Sequence, residues 1–365
     1  MKILFWVGYT PRPWDGSTTT GLGGTEVAVM NIAEGLSRYG IEVVVTGQVN
    51  NIYLNGVEWI DIESFTKKYS VLPNHFDFAI GVDYLHFIKY LKDAKQTIQK
   101  NLFWVHNTDY YRWYKGGTLE NHLDYLNQIT SFIAPSGFAL NTLIDGKLIP
   151  NSTATGKQVL PNGIKLENFT ANTRKDPNKF IWSSAVDRGL SNLLNKWPKI
   201  KEILPEATLD VYYPEYSNPH KEGGWFNMEG VSDKLIDNMA LGVSDMGSVS
   251  QIDLHVAMQK ASYWMYLTEY EETFCITAAE MMAAGVIPIC SNKAALAEVV
   301  TDGIIIPANN YETMFNEAIQ ILGSLNNEIK VKTRNAVKER AKLLSWDMAV
   351  SKWYHFLKQT KIHGN

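Results

Sequence analysis

Two glutamates separated by seven residues, Glu272 and Glu280, are the side chains whose types and spacing most directly suggest chemistry. The stretch EYEETFCITAAEMMAAG at 269–285 begins as an acid-rich loop and continues as an Ala- and Met-rich segment typical of a helix. A carboxylate among apolar neighbours is costly unless a partner or a ligand stabilises it. Glu280 therefore predicts either an internal partner or a bound polar ligand.

The spacing of the two carboxylates favours a long ligand with an anionic centre. If a helix begins near Phe274 or Cys275, Glu272 lies in the preceding loop and Glu280 lies two turns into the helix. At ~1.5 Å rise per residue the carboxylates are then about 12 Å apart or less. The free N–H groups of Phe274, Cys275 and Ile276 would face an anion between them. A nucleoside diphosphate sugar has this form, because its sugar and ribose hydroxyls lie at the two ends and its pyrophosphate lies between them. The alternative makes Glu272 an exposed capping acid and Glu280 the partner of a cation.

A glycine-rich stretch and a histidine in the N-terminal half could contribute further ligand-binding residues. In TTTGLGGTEVAV at 18–29, Gly23 and Gly24 would let the backbone approach a ligand at a helix N-terminus. Glu26 fills the third glycine position of a dinucleotide fingerprint, so a flexible loop is an equal alternative. His106 follows a predicted strand, where ligands of open α/β sheets bind, although a lone histidine is more often structural.

The stretch SSAVDRGL at 183–190 places Arg188 between a predicted strand and a predicted helix. A guanidinium at such a junction suits a phosphate, because its planar fork donates two hydrogen bonds at once. The alternative is a surface arginine with Asp187 as its neighbour.

Composition indicates a globular protein of two domains. The 365 residues exceed one typical core, and 45% hydrophobic with 20% charged residues is ordinary for globular chains. A net charge of −4 argues against nucleic acid as a partner. Two cysteines, Cys275 and Cys290, favour a reducing compartment, so the cytoplasm is the expected location. The apolar start MKILFWV is interpreted as a buried strand rather than a signal peptide, and peripheral membrane contact is neither indicated nor excluded.

Short apolar runs alternate with amphipathic stretches, a pattern typical of βαβ units and parallel sheets. The predicted strands of the first half are 2–7, 42–46, 78–81, 101–106, 131–134 and 158–160. After the polar stretch NFTANTRKDPNK, which resembles a linker, the predicted strands are 180–184, 208–213, 262–267, 286–290 and 303–306. The pattern predicts an α/β protein made of two Rossmann-like domains in tandem.

These motifs together resemble the GT-B glycosyltransferases, specifically the large retaining family usually numbered 4. The resemblance covers nearly the whole chain, and its most specific element is the E-x7-E signature of Glu272 and Glu280. The other elements are GLGGTEVAV (21–29), IAPSGFALNTL (133–143), VLPNGIKLENF (159–169), MMAAGVIPICSN (281–292), AEVVTDG (297–303) and SWDMAVSKW (345–353). It implies two Rossmann-like domains facing across a cleft. The acceptor domain would be 1–168 and the donor domain 169–346, with a C-terminal helix at about 347–365 crossing back to the first.

The resemblance also implies a function and a set of site residues. The expected enzyme is a retaining hexosyltransferase that uses a nucleotide-diphosphate sugar, with no cofactor and no metal, in glycan or polysaccharide assembly. Glu280 would bind the donor ribose, Glu272 the transferred sugar and Arg188 the phosphates, while His106 would lie near the reacting face of the sugar. The implied donor-binding residues are Gly23, Gly24, Ser183, Ser184, Met246, Gly247, Phe274, Cys275, Ile276 and Glu280.

The chain departs from the family pattern at the phosphate site. Arg188 occupies the position of the family's lysine, while Ser183 and Ser184 occupy the region of its arginine, so one cation is present where two are usual. Thr273 and Cys275 replace two common glycines. A catalytically silent nucleotide-sugar-binding protein is therefore one alternative, and a nicotinamide-dependent oxidoreductase is another.

The acceptor is expected to bind the first domain. The aromatic stretch after His106 supplies a candidate platform through Asp109, Tyr111 and Trp113, because aromatic faces suit sugar rings. Such faces suit a core or a lipid interface equally well. The acceptor class therefore stays open among a glycan, a lipid-linked sugar and another hydroxyl compound.

Overall fold

The computed structural model describes residues 1–10, 12–19, 22–71, 75–107, 123–145, 156–171, 173–214, 217–220 and 230–362. The chain divides into two compact units. The first comprises Met1–Thr18, Leu22–Gly163 and Trp346–Asn365, and the second comprises Thr19–Gly21 and Ile164–Ser345. The candidate acceptor residues Asp109, Tyr111 and Trp113 lie outside the described residues.

The first unit is built on a mostly parallel sheet, since apolar runs such as KILFW are buried on both faces. Its strands are β1 (Lys2–Trp6), β2 (Glu42–Gly47), β3 (Ile52–Leu54), β4 (Val57–Asp61), β5 (His75–Val82), β6 (Thr97–Trp104), β7 (Ile129–Ala134) and β8 (Gly156–Val159). Their order in the described part of the sheet is β3-β4-β2-β1-β5-β6-β7-β8, and only the β3–β4 pair is antiparallel. The helices are α1 (Gly24–Arg38), α2 (Ile62–Ser70), α3 (Phe87–Asp93), α4 (Leu123–Leu126) and α5 (Gly137–Asp145).

The second unit contains a parallel sheet covered by helices. Its strands are β9 (Lys179–Trp182), β10 (Thr208–Tyr212), β11 (Val243–Gly247), β12 (Tyr263–Tyr266), β13 (Ile287–Ser291) and β14 (Ile304–Ile306), in the order β11-β10-β9-β12-β13-β14 within the described residues. The helices are α6 (Leu190–Ile203), α7 (Val231–Asn238), α8 (Gln251–Lys260), α9 (Ile276–Ala283), α10 (Leu296–Val299), α11 (Tyr311–Ser324) and α12 (Asn327–Lys342). Single 3-10 turns occur at Leu166–Phe169, Val186–Arg188 and Met239–Leu241.

The terminal helix α13 (Trp346–Ile362) belongs to the first unit and packs against α1. A Cβ on Gly35 of α1 would lie 2.2 Å from a Val350 methyl of α13, so only glycine permits this close approach. The Trp353 ring contacts those of Phe5 and Trp104, at centroid distances of 6.3 and 4.8 Å. Among the described residues no helix is both long and apolar enough to cross a membrane.

The sequence pattern did not predict β3, β4 or β11. The β3–β4 pair is a hairpin whose turn residues Asn55 and Gly56 both have positive φ (52° and 78°), which an Asn-Gly pair favours. Strand β11 is an edge strand with an alternating polar face, so it lacks the apolar run on which the prediction relied. The predicted strand at 101–106 begins earlier, at Thr97, and ends at Trp104.

Candidate active site

Two loops of the second unit carry Arg188 and Glu272 to the same edge of its sheet. The first loop follows β9 and the second follows β12, and these parallel strands are neighbours. Because carboxyl ends of adjacent parallel strands meet at one edge, the two loops converge there. Ser183 and Ser184 lie at the start of the first loop, and the buried Ser183 hydroxyl has no hydrogen-bond partner among the described residues.

Arg188 is held as a stacked cation. The loop turns into α6 through Gly189, whose φ of 117° favours glycine. The guanidinium carbon lies 3.2 Å from the centroid of the Tyr270 ring, and Nη1 lies 3.5 Å from Asp187 Oδ2. Burial opposes the charge, but Tyr270, Asp187 and Glu272 together raise the pKa of Arg188. The arginine therefore remains charged and is oriented by the ring beneath it.

Glu272 is fixed by its backbone and by a buried tyrosine. Its N–H donates to Tyr270 O (3.2 Å), and its carbonyl accepts from Ala295 N (3.1 Å). The Tyr266 hydroxyl donates to its carboxylate Oε1 at 2.6 Å. Burial raises the pKa of Glu272, while the bond from Tyr266 and the charge of Arg188 offset part of that rise. The carboxylate is thus held beside a cation, ready to accept hydroxyl donors.

Helix α9 begins at Ile276, one or two residues later than the sequence predicted. Cys275 precedes it with φ 67° and ψ 79°, a left-handed conformation that costs a non-glycine residue about 1–2 kcal/mol. A glycine at this position would adopt the conformation without that cost. The side chain of Phe274 is buried. Ala278 N donates to Cys275 O at 3.1 Å, so the amides of Ile276 and Thr277 are the ones that open the helix without an intrahelical acceptor. This helix start is suited to an anion.

Glu280 has an internal partner. The His255 ring of α8 places Nε2 at 3.2 Å from Glu280 Oε1, and the Phe169 ring packs edge-on against it with centroids 4.8 Å apart. His255 is 7% exposed, whereas the Glu280 side chain is 17% exposed. The structure therefore gives the carboxylate a partner and still leaves part of it open to a ligand. No sequence motif pointed to His255.

Met246 and Gly247 are not brought next to Arg188. They lie on edge strand β11, which β10 separates from β9. Met246 is 45% exposed, and Gly247 has φ 66°. The sequence also missed Lys234 of α7, whose Nζ donates to Ser191 Oγ (2.6 Å) at the start of α6. This lysine is a second cation near the phosphate-binding candidates of that loop.

The first unit gathers a second cluster at the carboxyl ends of its central strands. His106 lies two residues beyond β6, and its N–H donates to Asp83 Oδ1 at 2.7 Å. Asp83 follows β5 with φ 57°. Gly23 and Gly24 begin α1, where a Cβ on Gly23 would lie 2.7 Å from Glu26 Oε2. The glycine therefore lets the Glu26 side chain fold back over the start of the helix.

Burial shifts both titratable groups of this cluster towards their neutral forms. It lowers the pKa of His106 to about 4. It also raises the pKa of Asp83 to about 7, with a further contribution from the charge of Glu26. Neither ring nitrogen of His106 has a hydrogen-bond partner among the described residues. At neutral pH His106 is therefore a neutral imidazole, buried beside the Asn162 side chain, which offsets part of the lowering.

The low pKa of His106 predicts an acid-sensitive term in stability. Between pH 6.5 and 4 the unfolded chain binds a proton at His106 that the folded chain does not bind. The free energy of unfolding therefore decreases as the pH falls through this range. Between pH 8 and pH 5 wild type should lose about 2 kcal/mol more free energy of unfolding than His106→Gln. Urea unfolding of both proteins at the two pH values measures the difference. Equal losses would show that the imidazole is not held neutral.

Part of the second unit matches a known enzyme family. Residues 233–344 match the family model "Glycosyl transferases group 1". The matched range contains Glu272, Glu280 and His255 but not Arg188. A curated relative, lipopolysaccharide 1,2-N-acetylglucosaminetransferase of Salmonella typhimurium, is 23% identical over 225 residues. That alignment covers 56% of this chain, and the chain spans only 57% of that relative.

Solved structures show the fold. Sucrose-phosphate synthase from Thermosynechococcus elongatus has a TM-score of 0.75 at 16% identity, with 99% of each chain covered. HepE of Anabaena, in complex with UDP and glucose, has a TM-score of 0.69 at 13% identity, with 98% of this chain and 100% of that chain covered. Two α/β units with parallel sheets and these likenesses confirm the predicted GT-B fold.

Proposed function

We propose that this protein is a retaining glycosyltransferase that moves a hexose from a nucleoside diphosphate sugar to an acceptor hydroxyl. The observation that carries the proposal is the cluster of Arg188, Glu272 and the start of α9 at one edge of the second sheet. A stacked cation and free helix amides suit a diphosphate, and a fixed carboxylate suits sugar hydroxyls. The group 1 family match supports a transferase of this kind.

The proposed chemistry is displacement at the anomeric carbon. The bond from that carbon to the diphosphate oxygen breaks, and its electron pair leaves with the nucleoside diphosphate. The acceptor oxygen forms its bond on the same face, and its proton passes to the leaving phosphate oxygen. Charge builds up on the diphosphate, so the guanidinium of Arg188 and the amides beginning at Ile276 would stabilise the transition state. Neither a metal nor a covalent enzyme intermediate takes part in the proposed route.

The remaining residues are proposed to bind and orient the substrates. Glu280 would accept hydrogen bonds from the ribose hydroxyls while His255 holds its carboxylate in place. Neutral His106 would contact the transferred sugar, and Glu272 would bind its hydroxyls. The other proposed donor-binding residues are Gly23, Gly24, Ser183, Ser184, Met246, Gly247, Phe274 and Cys275.

The proteins that resemble this chain suggest which substrates to test first. HepE is complexed with UDP and glucose, which favours a uridine diphosphate sugar as donor. The Salmonella relative acts on lipopolysaccharide, which favours glycan or polysaccharide assembly with a carbohydrate acceptor. A cytoplasmic location is proposed from the two unpaired thiols, Cys275 and Cys290.

A donor panel tests the proposal. Thermal unfolding of the full chain is followed with UDP, GDP, ADP and TDP and with their sugars, because a ligand of the folded state raises the midpoint. One nucleotide is expected to raise the midpoint saturably. Its sugar should release nucleoside diphosphate slowly without acceptor and faster with a carbohydrate acceptor. NMR of the product should show the anomeric configuration of the donor. Binding without any release would favour the silent binding protein, and no nucleotide response would refute the proposal.

A further inference from the structure

A basic cavity lies at the amino ends of the strands in the second unit. It has a volume of about 220 Å³ and is lined by Thr173, Lys175, Val331, Arg334, Asn335 and Lys338. The last four lie on one stripe of α12, at spacings of three, one and three residues. Two residues in contact with the lining side chains lie just before strands. Ser262, bonded to Arg334, precedes β12, and Gly285, next to Lys338, precedes β13. The cavity is thus at the opposite edge of the sheet from Arg188 and Glu272.

Three cations converge on this cavity without an acid to balance them. Lys175 Nζ donates to Ala261 O (2.6 Å) and Gln259 O (3.2 Å), which uses two of its three hydrogens. The side chain of Lys338 lies close to that of Lys175: a Cβ built on Gly285 would be 2.6 Å from Lys338 Cε and 3.5 Å from Lys175 Cε. Among the described residues no carboxylate forms a salt bridge with any of the three cations, Lys175, Lys338 and Arg334.

Arg334 has a buried donor with no acceptor. Its Nη2 donates to Ser262 Oγ at 2.8 Å, but its buried Nε has no hydrogen-bond partner among the described residues. An unsatisfied buried donor typically costs about 1–3 kcal/mol, so such groups usually have a partner or a ligand. Burial and the charges of Arg334 and Lys338 also lower the pKa of Lys175 to about 7, so the protein alone disfavours the charged form of this lysine.

We propose that the basic cavity binds an oxyanion of the phosphate class. A tetrahedral oxyanion would accept hydrogen bonds from the Arg334 guanidinium, from the third hydrogen of Lys175 and from Lys338, and would neutralise their mutual repulsion. The volume is well above the about 10–15 Å³ that one water needs, so the cavity accommodates a phosphate or pyrophosphate group. The site is separate from the diphosphate-binding site proposed at Arg188, and it does not depend on the proposed glycosyl transfer.

Phosphate binding by the full chain tests the proposal. Inorganic phosphate and pyrophosphate are titrated by calorimetry and by thermal unfolding, at an ionic strength held constant with NaCl. Wild type should show saturable binding that NaCl does not reproduce. Arg334→Met should weaken that binding roughly tenfold, because it removes charge-assisted hydrogen bonds. If Arg334→Met fails to fold, the exposed Lys338→Met decides in its place, with the same expected loss.

Two controls locate the binding. Lys332→Met removes one exposed charge from α12 outside the cavity, and Arg188→Met alters the proposed diphosphate-binding site. Both variants should bind phosphate in the cavity as wild type does. With Arg188 already replaced by Met, binding that survives the further change Arg334→Met or Lys338→Met would overturn the proposal, as would loss of all binding in Arg188→Met alone.

A vesicle assay distinguishes free phosphate from a lipid headgroup. Co-sedimentation with phosphatidylglycerol but not phosphatidylcholine vesicles that requires Arg334 would assign the phosphate group to a lipid. Saturable phosphate binding without co-sedimentation would assign it to a free anion. The absence of both responses would refute the site.

Discussion

Replacing Arg188 with Ala should lower kcat by roughly 10²–10³-fold, the loss typical when one preorganised donor to a developing oxyanion is removed. The structure supplies the reason. The guanidinium is stacked on Tyr270 at 3.2 Å, is partly buried, and is the only cation of the SSAVDRGL loop. Because it would act on charge that develops as the diphosphate leaves, kcat should fall more than donor affinity. Steady-state kinetics with the donor identified by the panel measures both.

Two variants control this experiment. Arg188→Lys keeps a charge but loses the planar fork and much of the stacking, so its kcat should lie between those of Arg188→Ala and wild type. Arg174→Ala removes an exposed arginine of the same unit and should leave the kinetics unchanged. Wild-type turnover by Arg188→Ala would show that the diphosphate is stabilised elsewhere, with Lys234 as the next residue to test.

The sequence predicted most of the fold because most of the strands are short continuous runs of apolar residues. Runs such as Lys2–Trp6 and Ile287–Ser291 are apolar on both faces, a pattern that few other structures share. Edge strand β11 carries no such run. β11, VSDMG, is half polar, and its pairing with β10 depends on a neighbour distant in sequence. Local patterning therefore missed this edge strand, although it predicted β14 at the opposite edge, where all three residues are apolar.

The site was predictable where its residues share a local motif. Glu272, Glu280 and the start of α9 lie within one short stretch, so their relation follows from helix geometry. The partners that tune them come from other elements: Tyr270 under Arg188, and His255 of α8 beside Glu280. Pairings of this kind are set by tertiary packing, and no spacing in the sequence encodes them.

Asp83 and His106 illustrate the same limit in the first unit. They are 23 residues apart, and the parallel pairing of β5 with β6 brings their loops together. Only that pairing explains why a backbone N–H reaches a carboxylate whose pKa is raised to about 7. A lone histidine in the sequence gave no sign of this neighbour.

Replacing Glu280 with Gln should raise the donor KM roughly tenfold to a hundredfold and leave kcat nearly unchanged. Hydrogen bonds to a charged group contribute about 1.5–3 kcal/mol, and contacts to the ribose are made equally in the ground state and the transition state. The contact with His255 at 3.2 Å holds the carboxylate without covering it fully. Steady-state kinetics and direct titration of the nucleoside diphosphate should show the same loss of affinity.

A purely structural role for Glu280 makes a different prediction, because the carboxylate would then serve only its histidine partner. Glu280→Gln and His255→Asn would lower the unfolding midpoint to a similar extent, and neither would change the donor KM. Under the ligand-binding role, His255→Asn loses the positioning of the carboxylate but keeps its charge, so its KM should rise less than that of Glu280→Gln. Glu317→Gln, at an exposed position of α11, controls for the loss of one negative charge. An unchanged donor KM in Glu280→Gln would show that Glu280 does not bind the donor and that its carboxylate serves only as the partner of His255.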